Sequence, residues 1–209
     1  MSSGLSGRTV ALAEGRQLEE LAQMLEKEGA ATLRCPMLSI LDNPDREPVV
    51  QWLRDLIAGR FSHVVLMTGE ALRRLMGFAE NEGLRPEAVA ALGKTRTVTR
   101  GPKPVRALKE IGLTPTVVAQ TPTTEGVIQA LHSESVHGRA VGLTLYGQPN
   151  PALVDFLEKS GATVATVMPY VYAPAADAGR VIDLIERMAV ATVAPDFSRK
   201  STSAGFGWP

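Results

Sequence analysis

The chain has 209 residues, of which 44% are hydrophobic and 21% are charged, a composition typical of a globular protein. Its 22 basic and 22 acidic residues balance, so no overall field favours nucleic acid or a membrane surface, and neither is expected as a partner. The single cysteine, Cys35, excludes an intrachain disulfide and a cysteine-ligated zinc site. Neither a secretion signal nor an apolar run near ~18 residues occurs, so we expect a cytoplasmic protein.

Strands and helices are predicted to alternate, because short apolar runs alternate with segments of helical periodicity. Predicted strands lie at Thr9–Ala13, Ala31–Leu41, His63–Met67, Thr95–Thr99, Thr116–Ala119, Arg139–Leu143 and Val164–Tyr172. Predicted helices lie at Leu18–Leu25, Val49–Leu56, Glu70–Glu82, Lys103–Ile111, Thr124–His132 and Arg180–Ala189, with a further helix before Gly161. A turn at 42–48, a linker at Tyr172–Asp177 and an irregular tail at Ser198–Pro209 complete the prediction. This alternation indicates an α/β fold with parallel sheets.

The sequence contains an internal repeat. RTVAL at Arg8–Leu12 and LEKEGA at Leu25–Ala30 return as RAVGL at Arg139–Leu143 and LEKSGA at Leu157–Ala162. The match continues into another helix, where Val50, Leu53 and Leu56 correspond to Ile182, Ile185 and Met188. A duplication this long predicts two similar parallel-sheet lobes.

The second copy of the repeat is much shorter than the first. The first copy occupies residues 8–138, whereas only residues 139–209 are left for the second. We therefore expect a C-terminally truncated or divergent chain. Its first lobe should be incomplete, with a short sheet whose inner face is partly uncovered.

Four strand-to-helix junctions combine hydroxyl, glycine or basic residues with the start of a helix. They are Met67–Glu70, Thr99–Lys103, Gln120–Thr124 and Leu145–Gln148. Open α/β sheets bind ligands at the carboxyl ends of their strands, and helix N-termini offer free N–H groups and partial positive charge to anions. Capping alone is the simpler explanation of any single junction. Several junctions converging on one crevice favour a rim that binds carboxylates or phosphates.

Several well-known catalytic motifs are absent from the sequence. There is no G-x-G-x-x-G after a strand, no G-x-x-x-x-G-K-[ST], no G-x-S-x-G and no H-E-x-x-H. The histidines, at 63, 132 and 137, occupy strand and helix-end positions, and Cys35 fits a core position. Neither a metal nor a cofactor is predicted.

Three segments follow one another in an order and spacing shared with a known family. Phe61–Gly69 followed by ALRR is similar to D-x-V-V-F-T-S-x-x-A-V, Arg100–Leu113 to V-G-x-x-T-A-x-A-L-x-x-x-G, and Thr121–Gly126 to x-P-T-S-E-G. Tyr146–Gly147 and Pro169–Tyr170 complete the order. Over residues 8 to about 189 the chain resembles the uroporphyrinogen-III synthase family.

The resemblance implies an architecture of two α/β lobes joined by a two-strand hinge. The first lobe would be discontinuous and incomplete, combining residues 1–36 with 173–209, and the second would contain residues 37–172. The strands at Ala31–Leu41 and Val164–Tyr172 would run side by side as the hinge. A monomer is expected.

The resemblance also implies a reaction. Members of the family are lyases that cyclise the linear tetrapyrrole hydroxymethylbilane, inverting its last ring and releasing water, on the route to haem, sirohaem and cobalamin. They use no metal or cofactor. The substrate carries eight carboxylates and forms a reactive azafulvene by losing its hydroxyl, so the enzyme mainly has to hold it in the geometry that leads to inversion.

The same resemblance implies a set of site residues. Tyr170 matches the cleft tyrosine whose phenol assists departure of the hydroxyl, although packing with a solvated hydroxyl is the alternative. The substrate-binding residues implied are Thr68, Gly69, Arg100, Gly101, Lys103, Thr123, Thr124, Tyr146 and Gly147. Arg100 and Lys103 would attract the acetate and propionate groups.

Two positions depart from the family pattern, and they leave a second function open. Pro104 stands where the family often has threonine, and Tyr146 stands where it has arginine. Together with the short second repeat, these departures allow a non-catalytic tetrapyrrole-binding or regulatory protein of the same fold as the alternative to an active synthase.

Overall fold

The computed structural model describes residues 4–15 and 17–192. In chain order its elements are β1 (Thr9–Leu12), α1 (Leu18–Lys27), β2 (Ala31–Arg34), β3 (Leu38–Asp42), α2 (Arg46–Ile57), β4 (His63–Leu66), α3 (Gly69–Asn81), α4 (Arg85–Lys94), β5 (Arg96–Thr99), α5 (Pro102–Glu110), β6 (Val117–Val118), α6 (Thr124–Leu131), β7 (Ala140–Thr144), α7 (Pro151–Lys159), β8 (Thr163–Val167), β9 (Tyr170–Pro174) and α8 (Ala178–Thr192). The predicted α/β fold is confirmed. The predicted irregular tail, Ser198–Pro209, lies outside the described residues.

Contacts divide the chain into two compact units. Unit 1 contains Met1–Ser39 and Ala173–Pro209, and unit 2 contains Ile40–Tyr172. The two connections between the units are β3 and β9, which pair with each other in a two-stranded sheet. Within the described residues, no helix is long and apolar enough to cross a membrane.

Unit 2 is built on a parallel sheet with the strand order β6-β5-β4-β7-β8. Its central strand, β4, is buried along its whole length, as expected for a parallel strand covered on both faces. Val64 and Leu66 belong to one apolar core, whereas Val65 and Met67 belong to the other. This alternation follows from the two-residue period of a strand.

The two cores assign the helices to opposite faces of the sheet. Residues of α2, α3, α4 and α5 line the first core, and residues of α6 and α7 line the second. The crossovers from β4 to β5 and from β5 to β6 therefore cover one face of the sheet. The crossovers from β6 to β7 and from β7 to β8 cover the opposite face, and β7 lies on the other side of β4 from β5. The strand order thus reverses between β4 and β7, and such a reversal opens a crevice at the carboxyl ends of the two strands.

A glycine in β7 lets α2 lie close to the sheet. A Cβ at Gly142 would stand 2.6 Å from the Trp52 ring and 3.0 Å from Phe61. The indole N–H of Trp52 donates to the Ala165 carbonyl at 2.9 Å, which fixes the ring over β8. The repeat places Leu184 and Ala11 at the matching positions of unit 1. At the corresponding positions of the repeat, leucine and alanine thus replace tryptophan and glycine.

Unit 1 has a much smaller sheet than unit 2. β1 pairs in parallel with β2, and α1 and α8 accompany them. The repeat shows how the units differ: Val50 and Leu53 are 3% and 0% exposed in unit 2. Their equivalents in α8, Ile182 and Ile185, are 54% and 59% exposed. In the described part of unit 1, β1 and β2 thus form a two-stranded sheet, and these apolar side chains of α8 are exposed.

Both predicted hinge strands are divided in two, so these boundaries were wrong. The segment Ala31–Leu41 forms β2 in unit 1 and then β3, with Pro36 between them. The segment Val164–Tyr172 forms β8 in the sheet of unit 2 and then β9, with Pro169 between them. Proline has no N–H to donate to a ladder, so each strand ends at its proline and a new one begins with another partner.

Two further expectations need correction. The stretch predicted as the linker Tyr172–Asp177 begins inside β9, which continues to Pro174. The helix α4 was not predicted at all, because only Ala88 and Leu92 are buried on it and no regular apolar stripe marks the segment. Its start carries a recognisable signal nonetheless, since Pro86 lies in its first turn.

The difference between the units predicts unequal protection against hydrogen exchange. We expect the amides of β1 and β2 to exchange faster than those of β4, β5 and β7, because a two-stranded sheet with few covered apolar residues opens at low cost. Amide exchange measured by NMR or mass spectrometry on the intact chain checks this. Equal protection of the two sheets would contradict it.

Candidate functional site

The four predicted junctions lie at one edge of the unit 2 sheet. Each follows a different strand, and all of these strands are parallel, so their carboxyl ends meet at the same edge. The strands concerned are neighbours: β6, β5, β4 and β7. The predicted substrate-binding residues therefore lie along this edge, which includes the crevice between β4 and β7, whereas Tyr170 lies in β9.

Thr68 caps α3 and also lies beside the tyrosine of the predicted site. Its Oγ1 accepts a hydrogen bond from the Ala71 N–H at 3.0 Å, which satisfies one free donor of the first helical turn. The same oxygen lies 3.4 Å from the Tyr170 hydroxyl. The capping role and the contact with Tyr170 therefore coexist in one side chain.

Tyr170 is almost completely buried, with 1% of its surface exposed. Burial is the main cause that raises the pKa of its phenol to about 12, and the Tyr172 hydroxyl adds to the shift. The phenol is therefore neutral at physiological pH and can donate a hydrogen bond. The predicted alternative, in which Tyr170 packs with a solvated hydroxyl, does not describe this side chain.

Arg100 spans the carboxyl end of β4. It follows β5, yet its guanidinium carbon lies 4.9 Å from the centre of the Tyr146 ring, which follows β7. Since β4 separates these two strands, the side chain crosses the ~10 Å between them. The contact is a cation–π interaction, worth ~0.5–1 kcal/mol at an exposed site. Tyr146 thus holds the cation over the crevice in which Thr68 lies.

Gly147 closes the other side of this cluster. Its φ of +72° favours glycine, and a Cβ there would stand 2.5 Å from the Tyr172 ring. The Tyr172 ring in turn meets Tyr170 edge to face, with centroids 5.7 Å apart. Thr68, Arg100, Tyr146, Gly147 and Tyr170 therefore form one contiguous group, together with Tyr172.

Two glycines of the predicted site serve close packing. A Cβ at Gly69 would stand 2.6 Å from the carbonyl oxygen of Lys103, so glycine lets α3 and α5 approach each other. A Cβ at Gly101 would stand 3.0 Å from Pro122, where the junctions of β5 and β6 meet. The Lys103 side chain itself is exposed.

The third junction is tied to the fourth. Thr123 caps α6 by accepting from the Gly126 N–H at 3.1 Å. Thr124 accepts from the side-chain amide of Asn150 at 3.1 Å, and the Asn150 oxygen caps α7 by accepting from the Leu153 N–H at 3.3 Å. The N-termini of α6 and α7 are thereby held side by side on the second face of the sheet.

Sequence reasoning missed two residues of this region, Asn150 and Tyr172. Asn150 precedes Pro151, and asparagine followed by proline is a common helix start. Tyr172 lies two positions after Tyr170, so the strand period places both rings on one side. Both signals could have been read, but neither matches a motif that carries chemistry.

At the opposite edge of the sheet, the charged side chains are paired with one another. Glu134 is bound by Arg96 through two hydrogen bonds of 2.7 and 2.9 Å, and it lies 3.1 Å from Nε2 of His63. The Arg96 hydrogen bonds hold the pKa of Glu134 below its usual range. Arg100, by contrast, has no carboxylate partner among the described residues. Of these two arginines, Arg100 at the carboxyl edge is therefore the one that can bind an anion.

No cluster of three or more potential metal ligands occurs in the part of the chain that the structure describes. The chemistry on offer at the carboxyl edge is instead a cation, helix N-termini, hydroxyl groups and a neutral buried phenol. Such a set binds anionic groups and donates hydrogen bonds.

A family model described as uroporphyrinogen-III synthase HemD matches residues 19–195. The chain belongs to the uroporphyrinogen-III synthase family. The match covers most of the described residues. It includes all six residues of the contiguous group around Tyr170, namely Thr68, Arg100, Tyr146, Gly147, Tyr170 and Tyr172. The resemblance found in the sequence is confirmed.

Relatives of this family member include proteins of known structure. A mutant uroporphyrinogen III synthase from the extremely thermophilic bacterium Thermus thermophilus has a TM-score of 0.67 and 29% identity, covering 88% of this chain and 69% of that one. The wild-type uroporphyrinogen III synthase of the same bacterium has a TM-score of 0.56 and 29% identity, covering 87% of this chain and 67% of that one. The uncharacterized protein YjjA of Bacillus subtilis (strain 168) is 33% identical over 174 residues, 83% of this chain and 64% of that protein. The chain thus spans less than two thirds of YjjA.

The close approach at Gly69 gives a stability prediction. We expect Gly69→Ala to destabilise the synthase-family fold by about 1–3 kcal/mol, because the new methyl group meets the α5 backbone and cannot move aside. Gly77→Ala in the same helix is the control. Nothing lies within 4 Å of its added Cβ, so it should stabilise the fold by about 0.5–1 kcal/mol. Urea unfolding measures both, and equal effects would contradict the packing role.

The pKa of Tyr170 predicts a dependence of stability on alkaline pH. Its folded pKa is raised from 10.0 to about 12, so the folded state holds the proton that the unfolded state releases. The contribution of the Tyr170 phenol to the free energy of unfolding is complete below about pH 10 and is lost between about pH 10 and 12. Tyr170→Phe should remove this loss relative to the parent chain, whereas Tyr146→Phe should retain it. Unfolding curves from pH 8 to 11.5 test the difference.

Proposed function

We propose that the chain acts on a linear tetrapyrrole, hydroxymethylbilane, and cyclises it to uroporphyrinogen III with inversion of ring D and loss of water. Family membership supports the substrate class. The observation that carries the proposal is the neutral Tyr170 phenol 3.4 Å from Thr68, at the start of α3 and beside the crevice where the strand order reverses. Open α/β sheets bind their ligands at such an edge.

The carboxylates of the substrate would bind along the carboxyl edge. Arg100, held by Tyr146, offers a guanidinium fork whose N–H groups match a carboxylate. The exposed Lys103 adds a second cation in the first turn of α5. The N-termini of α3 and α5 add partial positive charge next to these cations. Together they suit a ligand with many acetate and propionate groups.

The chemical step needs little from the protein besides geometry and one proton donor. The hydroxyl of the hydroxymethyl group takes a proton and leaves as water, and the nitrogen of the same pyrrole ring gives up its proton, so an electrophilic azafulvene remains. The neutral Tyr170 phenol can hydrogen-bond to the departing oxygen, and the nearby Thr68 hydroxyl can relay the proton. The bound carboxylates hold the chain so that ring D attacks in the orientation that leads to inversion.

A second candidate is binding of the tetrapyrrole without turnover. The observation that favours it is the 1% exposure of Tyr170, because a buried phenol does not reach a ligand unless the surrounding side chains move. In that case the chain would bind the product and the substrate equally well. It would leave the spontaneous closure to the uninverted isomer unchanged.

Turnover of hydroxymethylbilane separates the two candidates. An active synthase should give the type III isomer, and Tyr170→Phe should lower the rate at least about tenfold, toward the ~10²–10⁴-fold range of general acid catalysis. Isomer analysis by chromatography measures this, with product affinity as the control for site integrity. Exclusive formation of type I with the parent chain would leave only the binding candidate.

Charge reversal at Lys103 tests the carboxylate rim. We expect Lys103→Glu to weaken binding of uroporphyrinogen III about two- to fivefold at low salt, because an exposed ion pair is worth only ~0.2–1 kcal/mol. The effect should fade as salt rises. Lys94→Glu at the end of α4 makes the same charge change away from the edge. Anaerobic titration calorimetry compares them, and equal affinities would remove Lys103 from the site.

A further inference from the structure

The outer edge of the unit 2 sheet carries a strand with an open side. β6 is the last strand in the order and pairs only with β5. Its Val118 side chain is 47% exposed. A groove of about 560 Å³ lies between β6 and α5, and another of about 520 Å³ lies between β6 and α6. Because α5 and α6 cover opposite faces of the sheet, the two grooves flank the edge of β6 from both sides.

The groove on the α5 side is cationic. Val105 and Ala119 line its floor, and Arg106 and Lys109 are the charged residues of its wall. The nearest carboxylate of α5, Glu110, is already bound by Arg73 through two hydrogen bonds of 2.7 Å. Neither Arg106 nor Lys109 forms a close ion pair with any residue that the structure describes, although the charge of Arg106 adds to the Arg73 hydrogen bonds in lowering the pKa of Glu110.

The groove on the α6 side is polar and uncharged. Its side-chain hydrogen-bonding groups come from Gln120, Thr121, Gln129 and Ser133, and no charged residue lines it. The two sides of the β6 edge therefore differ in charge. Successive side chains of a strand point to opposite faces, so a strand added to β6 would meet cations with every second residue and neutral polar groups with the others.

We propose that the β6 edge binds an extended acidic segment of a partner protein by strand addition. Alternate acidic side chains of the segment lie in the α5 groove against Arg106 and Lys109, and small polar side chains lie in the α6 groove. The main chain of the segment hydrogen-bonds to the open side of β6, as in other cases of strand addition. The proposal does not rest on the tetrapyrrole reaction, although the α5 groove includes Gly101, which also belongs to the predicted substrate site.

Charge decides between a partner and a second copy of the chain. Two β6 edges joined through a twofold axis perpendicular to the sheet place α5 beside α5. Arg106 and Lys109 of each copy would then face the same residues of the other, and like charges across an interface are unfavourable. An acidic segment neutralises these cations instead. The complementarity therefore favours a different, anionic chain.

The probe is an acetylated and amidated eight-residue peptide in which glutamate alternates with threonine. Titrated against the whole chain at low salt, it should bind and shift the amide NMR signals of Thr116–Ala119. The double variant Arg106→Glu with Lys109→Glu should weaken binding at least tenfold. Lys94→Glu with Lys159→Glu makes the same change of charge elsewhere on unit 2 and should change affinity less than twofold.

Backbone methylation of the peptide separates strand addition from simple charge attraction, and it uses the parent chain, so no variant has to fold. In an added strand, alternate amides face β6, so N-methylation of one alternate set should abolish binding while methylation of the other set is tolerated. Equal binding of both methylated peptides, or of a peptide with the same residues in two blocks, would overturn the proposal. So would the absence of binding at millimolar peptide, or displacement of the peptide by uroporphyrinogen III.

Discussion

Parallel pairing around β4 is the constraint on which the rest of unit 2 depends. Because all five strands run the same way, the helix that directly follows each of β4, β5, β6 and β7 begins at the same edge of the sheet. The N-terminal charge of four helices is thereby concentrated on one edge without any requirement for a dense basic sequence. This explains how a chain with no net charge can still offer a surface suited to a polyanion. At the opposite edge, the charges of Glu134 and Arg96 pair with each other, and Glu134 also contacts His63.

The polar groups of the site are held by backbone contacts as much as by side chains. Gly69 allows α5 to lie against α3, and Gly147 allows the Tyr172 ring to lie against the turn after β7. Thr68 is at once a helix cap and a neighbour of the Tyr170 hydroxyl. A loss of activity on changing Thr68 would therefore combine a structural effect with a chemical one. Serine at this position would preserve both.

Much of the fold could be predicted because buried strands and amphipathic helices leave clear periodic signals. His63–Met67 and Glu70–Glu82 are examples, and their predicted bounds differ from β4 and α3 only at the ends. The division of the hinge strands could not be read, since an apolar run does not show that its halves pair with different partners. α4 was missed because its two buried residues do not make a stripe.

The members of the candidate site could be proposed from the sequence, but their contacts could not. Each junction residue was found from its place after a strand, which is local information. The stacking of Arg100 on Tyr146 depends on the order β5-β4-β7, and nothing near either residue in the sequence specifies that order. The burial of Tyr170 was equally hidden, because it depends on what Thr68 and Tyr172 contribute from other parts of the chain or the strand. The Arg100–Tyr146 contact and the burial of Tyr170 both depend on residues that are distant in the sequence.

The two connections between the units also set the order in which the chain can fold during synthesis. Unit 2 is one continuous segment, so all of its strands are available once Tyr172 has left the ribosome. Unit 1 is made of two separate stretches: β1, α1 and β2 emerge before unit 2, but α8, whose Arg180 carbonyl accepts from the Cys35 thiol, emerges after it. At ~5–20 residues per second the first stretch waits on the order of ten seconds for its partner. During that interval its apolar side chains are open to chaperones, whereas unit 2 can already be folded.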